Sequence, residues 1–160
     1  KMSMPEAFQA IVAAPFFCFG VRCDEMEILG LEFLVPCAEQ EPANALAAEA
    51  VRQLRGYLAD SAYVFSLPLR PAGTRFQRRV WEQVALIPSH ERRTYGELAK
   101  AVKSAPRAVG QACGANPYPV VVPCHRVVSA GGGLGGFTRQ SEGGFPLDVK
   151  RWLLAHEQRG

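Results

Sequence analysis

This 160-residue chain has few of the features that mark membrane, secreted or metal-stapled proteins. No apolar run reaches the roughly 18 to 20 residues of a membrane span, and nothing near the N-terminus has the zoned pattern of a secretory signal. Lys1 precedes Met2, so the natural chain is expected to begin at Met2. The expected compartment is intracellular, the cytoplasm. Only three histidines are present (His90, His125 and His156), and no Cys-x-x-Cys pair occurs. Structural zinc needs about four ligands at suitable spacing, so neither a metal nor a cofactor is expected. The five cysteines, Cys18, Cys23, Cys37, Cys113 and Cys124, are odd in number, which argues for free thiols over a disulfide framework. No heptad-like segment is available for dimerisation, and the protein is expected to be a monomer in solution.

Charge is unevenly spread beneath a formal net value of +3. Residues 1–73 carry 5 basic and 9 acidic side chains, residues 74–128 carry 9 and 3, and residues 129–160 carry 4 and 3. The middle third is therefore where a polyanion would bind.

Residues 16–21 and 28–35 are apolar runs separated by a polar turn, which predicts an antiparallel hairpin. Pro42 then suits a first helical position, and Leu46, Ala50, Leu54 and Leu58 recur every four residues, predicting an amphipathic helix that covers one face of a small sheet. Two prolines and a glycine between Leu67 and Gly73 mark a domain boundary. Beyond it Thr74 can cap a helix with the stripe Phe76, Val80, Val84 and Ile87, which Pro88 stops. Thr94 and Glu97 form a capping box for a short helix, and Pro106 opens another after a tight turn, so the pair reads as a helix-turn-helix. Its second helix carries Ala108, Gly110, Ala112, Gly114 and Ala115. Only Arg107 and Gln111 could reach a base edge, too few for a major-groove reader; a smooth helix led by one arginine better suits a groove read by shape. A transcription regulator is disfavoured on that ground.

Residues 116–128 concentrate three prolines around a β-branched run and end in Pro123-Cys124-His125-Arg126. Pro123 stiffens the backbone ahead of Cys124, and the adjacent His125 and Arg126 are poor company for an inert core thiol, so Cys124 is expected to be a reactive nucleophile. Side chains adjacent in a strand point to opposite faces. Contact between Cys124 and His125 therefore needs a turn or a bridging water, and a water is expected. No resolving thiol is evident from the sequence.

At these residues the chain resembles the O6-alkylguanine-DNA alkyltransferases, whose signature is a Pro-Cys-His-Arg run. The likeness extends in order and spacing from about Thr74 to Glu157, through Tyr95, Arg107, Asn116-Pro117 and the segment Trp152 to Glu157. It implies an α+β protein: a small sheet-and-helix (RNase H-like) domain over residues 1–72, then a mostly helical, winged-helix-like DNA-binding domain over residues 73–160. It further implies single-turnover transfer of an alkyl group to Cys124 from guanine O6, and from thymine O4, after the nucleotide is flipped out of double-stranded DNA held through its minor groove. Glu157 would orient His125, which would act as base toward Cys124, and Asn116 would brace the turn. Tyr95 would assist the leaving guanine at N3, and Arg107 would fill the gap in the stack. Thr94 and Gln111 would contact DNA. The carbonyls of Cys124 and Val127 would accept from the guanine amine, and Pro119 would lie against the base. A non-catalytic alkyltransferase-like sensor would lack the reactive cysteine, and Cys124 argues against it. Between residues 131 and 144 the chain departs from the family, with seven glycines in fourteen residues that predict a mobile lid. There Phe137 would wall the pocket and Thr138 would be a donor toward O6.

Overall fold

A computed structural model describes residues 8–131, 133–135 and 145–159. The chain divides into two compact units, Lys1–Pro71 and Ala72–Gly160. Each has its own core.

The first unit is a three-stranded antiparallel sheet, β1 (Ala10–Ala13), β2 (Cys18–Cys23) and β3 (Ile28–Leu34), in the order β1-β2-β3. The predicted hairpin is the β2–β3 pair, with Phe19 opposite Phe33 and Val21 opposite Leu31. Strand β1 goes beyond that expectation, for a four-residue strand is too short to show its period. Phe17, Phe19 and Phe33 meet edge-on or tilted with centroids 5.1 to 5.8 Å apart, which anchors the sheet core. Helix α1 (Ala45–Ala59) packs on β1 and β2. It starts later than Pro42 suggested, because the Asn44 side chain accepts from Ala47 N and caps the helix there. Its buried stripe is Ala47, Ala50, Val51, Leu54 and Tyr57, so Leu46 and Leu58 flank the contact.

In the second unit Thr74 caps α2 (Arg75–Ala85), with Gln77 completing a capping box. Val80 and Val84 are fully buried, and Trp81 Nε1 donates to Ala112 O at 2.9 Å, tying α2 to a later helix. Helices α3 (Tyr95–Val102) and α4 (Pro106–Gly114) form the expected helix-turn-helix, and the turn is closed by Lys103 in the left-handed region at φ 57°. Two-residue strands β4 (Arg93–Thr94) and β5 (Val127–Val128) pair in parallel. This pairing sets the start of α3 beside the segment that follows Cys124. Helix α5 (Phe145–Arg159) closes the unit with Val149, Leu153 and Leu154 in the core.

Both Thr94 N to Glu97 Oε1 (2.7 Å) and Glu97 N to Thr94 Oγ1 (3.0 Å) are formed at the head of α3. Replacing a capping hydroxyl costs about 1 kcal/mol. Thr94→Ala should lower the urea unfolding free energy by about that amount, and an unchanged midpoint would show that the cap is idle.

Candidate active site

Cys124, His125 and Arg126 form a single 3₁₀ turn, not a strand. Of the two geometries open to the sequence, the turn is the one adopted, and it directs neighbouring side chains to one region. All three residues are buried: Cys124 is 1% exposed and His125 0%. Asn116 holds the preceding loop in shape, since its Nδ2 donates to Val122 O at 2.9 Å while its Oδ1 accepts from Tyr118 N at 2.8 Å. Its side chain also hydrogen-bonds Cys124. Inside that loop Val120 has φ 75°. A β-branched residue is strained there, at a cost of order 1–3 kcal/mol, and the surrounding hydrogen bonds hold it in place.

Glu157, on the inner face of α5, is 2% exposed and collects three charge-assisted contacts. Arg126 approaches it in a fork, Nε to Oε1 at 2.9 Å and Nη2 to Oε2 at 2.9 Å, and the Arg126 Nη1 donates to Ile87 O at 2.7 Å. His125 Nε2 lies 2.6 Å from Glu157 Oε2. Burial opposes ionisation of Glu157, but the His125 and Arg126 hydrogen bonds and charges outweigh it, and its carboxyl lies well below the usual carboxylate range. An ionised carboxylate fixes the proton on Nε2. The Nδ1 lone pair of His125 is then buried with no hydrogen-bond partner among the described residues. Burial also pushes His125 below the ordinary imidazole value despite Glu157, so the ring is neutral at pH 7 and its Nδ1 can accept a proton.

Cys124 is hydrogen-bonded to the buried thiol of Cys113, on α4. That bond first, and burial second, raise the Cys124 thiol well above its ordinary value, while Asn116 and Lys150 pull the other way. Cys113, on the accepting side of the same bond, is lowered. Cys124 is therefore a neutral thiol, next in sequence to a neutral imidazole.

Two residues of this site escaped the sequence reading. Lys150 is fully buried, with Nζ donating to Val127 O at 2.7 Å and Leu134 O at 2.6 Å and lying 3.5 Å from the Tyr95 hydroxyl. Burial pulls its pKa down to about 8, against the favourable field of the Cys113 and Cys124 sulfurs. Its signal was a lysine placed one position from Val149 and three from Leu153, inside the buried stripe of α5. The second is Cys113, which had looked like an ordinary small core residue.

The other expected positions fall as follows. Tyr95 is the first residue of α3, and Gly135, at φ 73°, passes so close that a Cβ there would meet Tyr95 Cε2 at 2.6 Å. Thr94 caps the same helix and adjoins the site through the β4–β5 pair. Arg107 and Gln111 are exposed on α4, while Val109, Ala112 and Cys113 face the core. Pro119 and Val127 are buried. The Val127 carbonyl already accepts from Lys150, which leaves its second lone pair. Arg126 turns to Glu157 and Ile87. Phe137 and Thr138, and most of the glycine-rich segment, lie outside the described residues.

Comparison with known proteins matches residues 75–159 to the family model "6-O-methylguanine DNA methyltransferase, DNA binding domain". Among curated relatives, a methylated-DNA–protein-cysteine methyltransferase of Methanosarcina acetivorans is 45% identical over 68% of this chain and 67% of its own length. One of Mycolicibacterium paratuberculosis is 46% identical over 70% of this chain and 66% of its own length. The chain thus spans about two-thirds of these relatives. The crystal structure of Mycobacterium tuberculosis OGT in complex with DNA aligns with a TM-score of 0.77 at 34% identity, covering 93% of this chain and 91% of that one.

Glu157 gives a sharp test of the buried network. Glu157→Gln leaves the Arg126 guanidinium buried without its counter-charge, and stability at pH 7 should fall by about 3 to 5 kcal/mol in urea unfolding. Because the folded-state pKa of Glu157 is depressed, its stabilisation is complete above the unfolded value of about 4.3 and is lost as pH falls below that. The variant should lack that part of the acid loss, and parallel acid curves would refute the assignment.

Proposed function

The chain belongs to the methylated-DNA–protein-cysteine methyltransferase family, and from that premise we propose how its own residues carry the reaction. Its activity is the direct repair of O6-methylguanine by methyl transfer to a protein cysteine. The acceptor is Cys124. One observation carries this reading, the run from the Cys124 thiol beside His125 to Glu157 at 2.6 Å from the His125 ring.

In the reaction the Cys124 sulfur attacks the methyl carbon, the S–C bond forms as the C–O6 bond breaks, and the bonding pair leaves with guanine. The thiol proton passes through a water to His125 Nδ1, whose basicity is held by Glu157 through Nε2. The leaving guanine carries developing negative charge. Tyr95 donates to N3, and Lys150 beside its hydroxyl makes it a better donor. The carbonyls of Cys124 and Val127 accept from the exocyclic amine, and Pro119 borders the ring. A thioether is not reversed by thiols, so each molecule acts once and needs no cofactor.

Double-stranded DNA lies with its minor groove against α4, whose exposed face presents Arg107 and Gln111 among small residues. Arg107 takes the place of the flipped nucleotide, and Thr94 lines the entry. Thymine alkylated at O4 is a second substrate, and the protein acts as a monomer.

Incubation with duplex DNA containing O6-methylguanine should place one methyl group on the tryptic peptide of residues 108–126, flanked by Arg107 and Arg126. That peptide holds both Cys113 and Cys124, so fragmentation must assign the methyl to Cys124; assignment to Cys113, or no adduct, overturns the reading.

Arg107→Ala should slow transfer from duplex DNA by about tenfold or more, the scale of one lost stacking contact. Transfer from free O6-benzylguanine should hold within about twofold, since that base needs no extrusion. Equal losses on both donors would remove Arg107 from the flipping step.

A further inference from the structure

The active centre uses the buried charges of the second unit and leaves three exposed arginines beside it without a task. Arg92, just before β4, and Arg151 and Arg159, on α5, rim a groove of about 490 Å³ whose floor is Leu134, Leu154 and Ala155. Arg92 and Arg159 have no carboxylate partner among the described residues. The Arg159 guanidinium instead sits 5.9 Å from the centre of the Trp152 ring, which stacks on His156. Arg151 pairs with Asp148 at 3.0 Å, but both side chains are more than half exposed, and a surface pair of that kind is weak enough to yield to a better anion. Three guanidinium groups around one groove repel one another, and an anion seated among them removes that repulsion.

The groove and the surroundings of Tyr95 share a wall. Leu134 contributes to the floor while its carbonyl accepts from Lys150, and the next residue, Gly135, passes against the Tyr95 ring. Arg92 stands three residues ahead of Tyr95 with Arg93 and Thr94 extended between them, so their backbones are at most about 11 Å apart. One DNA strand rises about 3.4 Å per nucleotide, which makes that span about three nucleotides. A DNA backbone also offers in alternation what the groove accepts. Its phosphates suit the planar guanidinium rim, and deoxyribose, the least polar part of the strand, suits the leucine floor. A small inorganic anion would leave that floor uncovered.

We propose that this groove is a second DNA contact, separate from α4, that holds the backbone of the damaged strand within about three nucleotides of the flipped base. Arg92, Arg151 and Arg159 take its phosphates, and Leu134, Leu154 and Ala155 lie under its sugars. The position along the strand rests on the reading that Tyr95 faces the flipped base; the phosphate contact does not. Helix α4 carries a single cation, Arg107, and that side chain is assigned to the gap in the stack. Unstacking a nucleotide displaces the backbone beside it, and a strand so displaced needs an anchor outside the helix that invades it. The groove supplies that anchor and neutralises phosphates that α4 leaves untouched.

The phosphates neutralised are counted by the salt dependence of binding to an undamaged duplex of about 20 base pairs, since each contributes about 0.9 to the slope of log Kd against log salt. Replacing Arg92 and Arg159 together by Gln should lower that slope by about 2, and adding Arg151→Gln should lower it by about 3. The three Lys replacements keep the charge and should hold the slope. Arg52→Gln with Arg55→Gln removes two exposed charges from the first unit and should leave it unchanged. An unchanged slope in the triple Gln variant, or an equal fall in the Arg52 and Arg55 control, would overturn the proposal; the first of these would assign the groove to an acidic polypeptide instead. Position is tested with duplexes holding O6-methylguanine and one neutral methylphosphonate linkage, moved stepwise along the damaged strand. A linkage within about three nucleotides of the lesion should slow methyl transfer to the wild-type protein at low DNA concentration and cost nothing further in the triple Gln variant. Equal costs in both proteins at every position would remove the groove from the damaged strand. The salt slope needs no methyl transfer, so the groove and the repair reading fail separately.

Discussion

The ionised carboxylate of Glu157, buried on the inner face of α5, is the constraint from which the active centre follows. A carboxylate at 2% exposure persists only if its charge is balanced and its lone pairs are filled. Arg126 does both through its two-bond fork, and its third direction is satisfied by the Ile87 carbonyl. What remains for His125 is one short hydrogen bond on Nε2. Because Arg126 already cancels the carboxylate charge, Glu157 can orient the imidazole without drawing it into the charged form. A lone Glu157 would raise His125 and remove the base; a lone Arg126 would leave an uncompensated cation in the core. Two adjacent residues can serve one carboxylate only because they sit on a turn, for a strand would point them to opposite faces.

That arrangement explains which parts of the molecule were legible in the sequence. Helix starts marked by capping residues were readable to the residue at Thr74 and Thr94, because a cap is a local pairing of side chain and backbone within four positions. The tight turn before Pro106 was readable from the proline itself, which suits a first helical position without any side-chain cap. The Asn44 cap was missed because Pro42 offered a competing local signal two residues earlier. Strand β1 was too short to show alternation. Within the site, Cys124, His125, Asn116 and Glu157 were found through a motif, and the structure brings them together. The roles of Lys150 and Cys113 depend on partners 16 to 55 residues away for the lysine and on another element for the cysteine, and no local pattern encodes such pairings. Arg126 was read only as poor company for an inert thiol beside it in sequence, whereas its charge is used across the fold.

Backbone strain and charge then act together on the thiol. The loop before Cys124 carries Val120 at φ 75°, a conformation that its own side chain disfavours, and Asn116 pins that loop from both sides. The position of the sulfur is thus set by the loop's hydrogen bonds, and little is left to the preference of the local chain. Lys150 extends the same rigidity across the pocket, since its ammonium joins Val127 and Leu134 carbonyls and approaches the Tyr95 hydroxyl.

The electrostatic logic is one of restraint. Arg126 and Glu157 cancel, His125 is neutral, and among the described residues Lys150 is the positive charge that acts on the two sulfurs. A permanent thiolate at Cys124 would be favoured by that charge but opposed by burial and by the hydrogen bond to Cys113, and opposition wins. In the mechanism proposed above, the sulfur therefore waits as a thiol and becomes a nucleophile when a proton acceptor and an electrophile are aligned with it at once. Such a resting state suits a protein that can use its cysteine a single time, because a standing thiolate would react with any small electrophile that reached it.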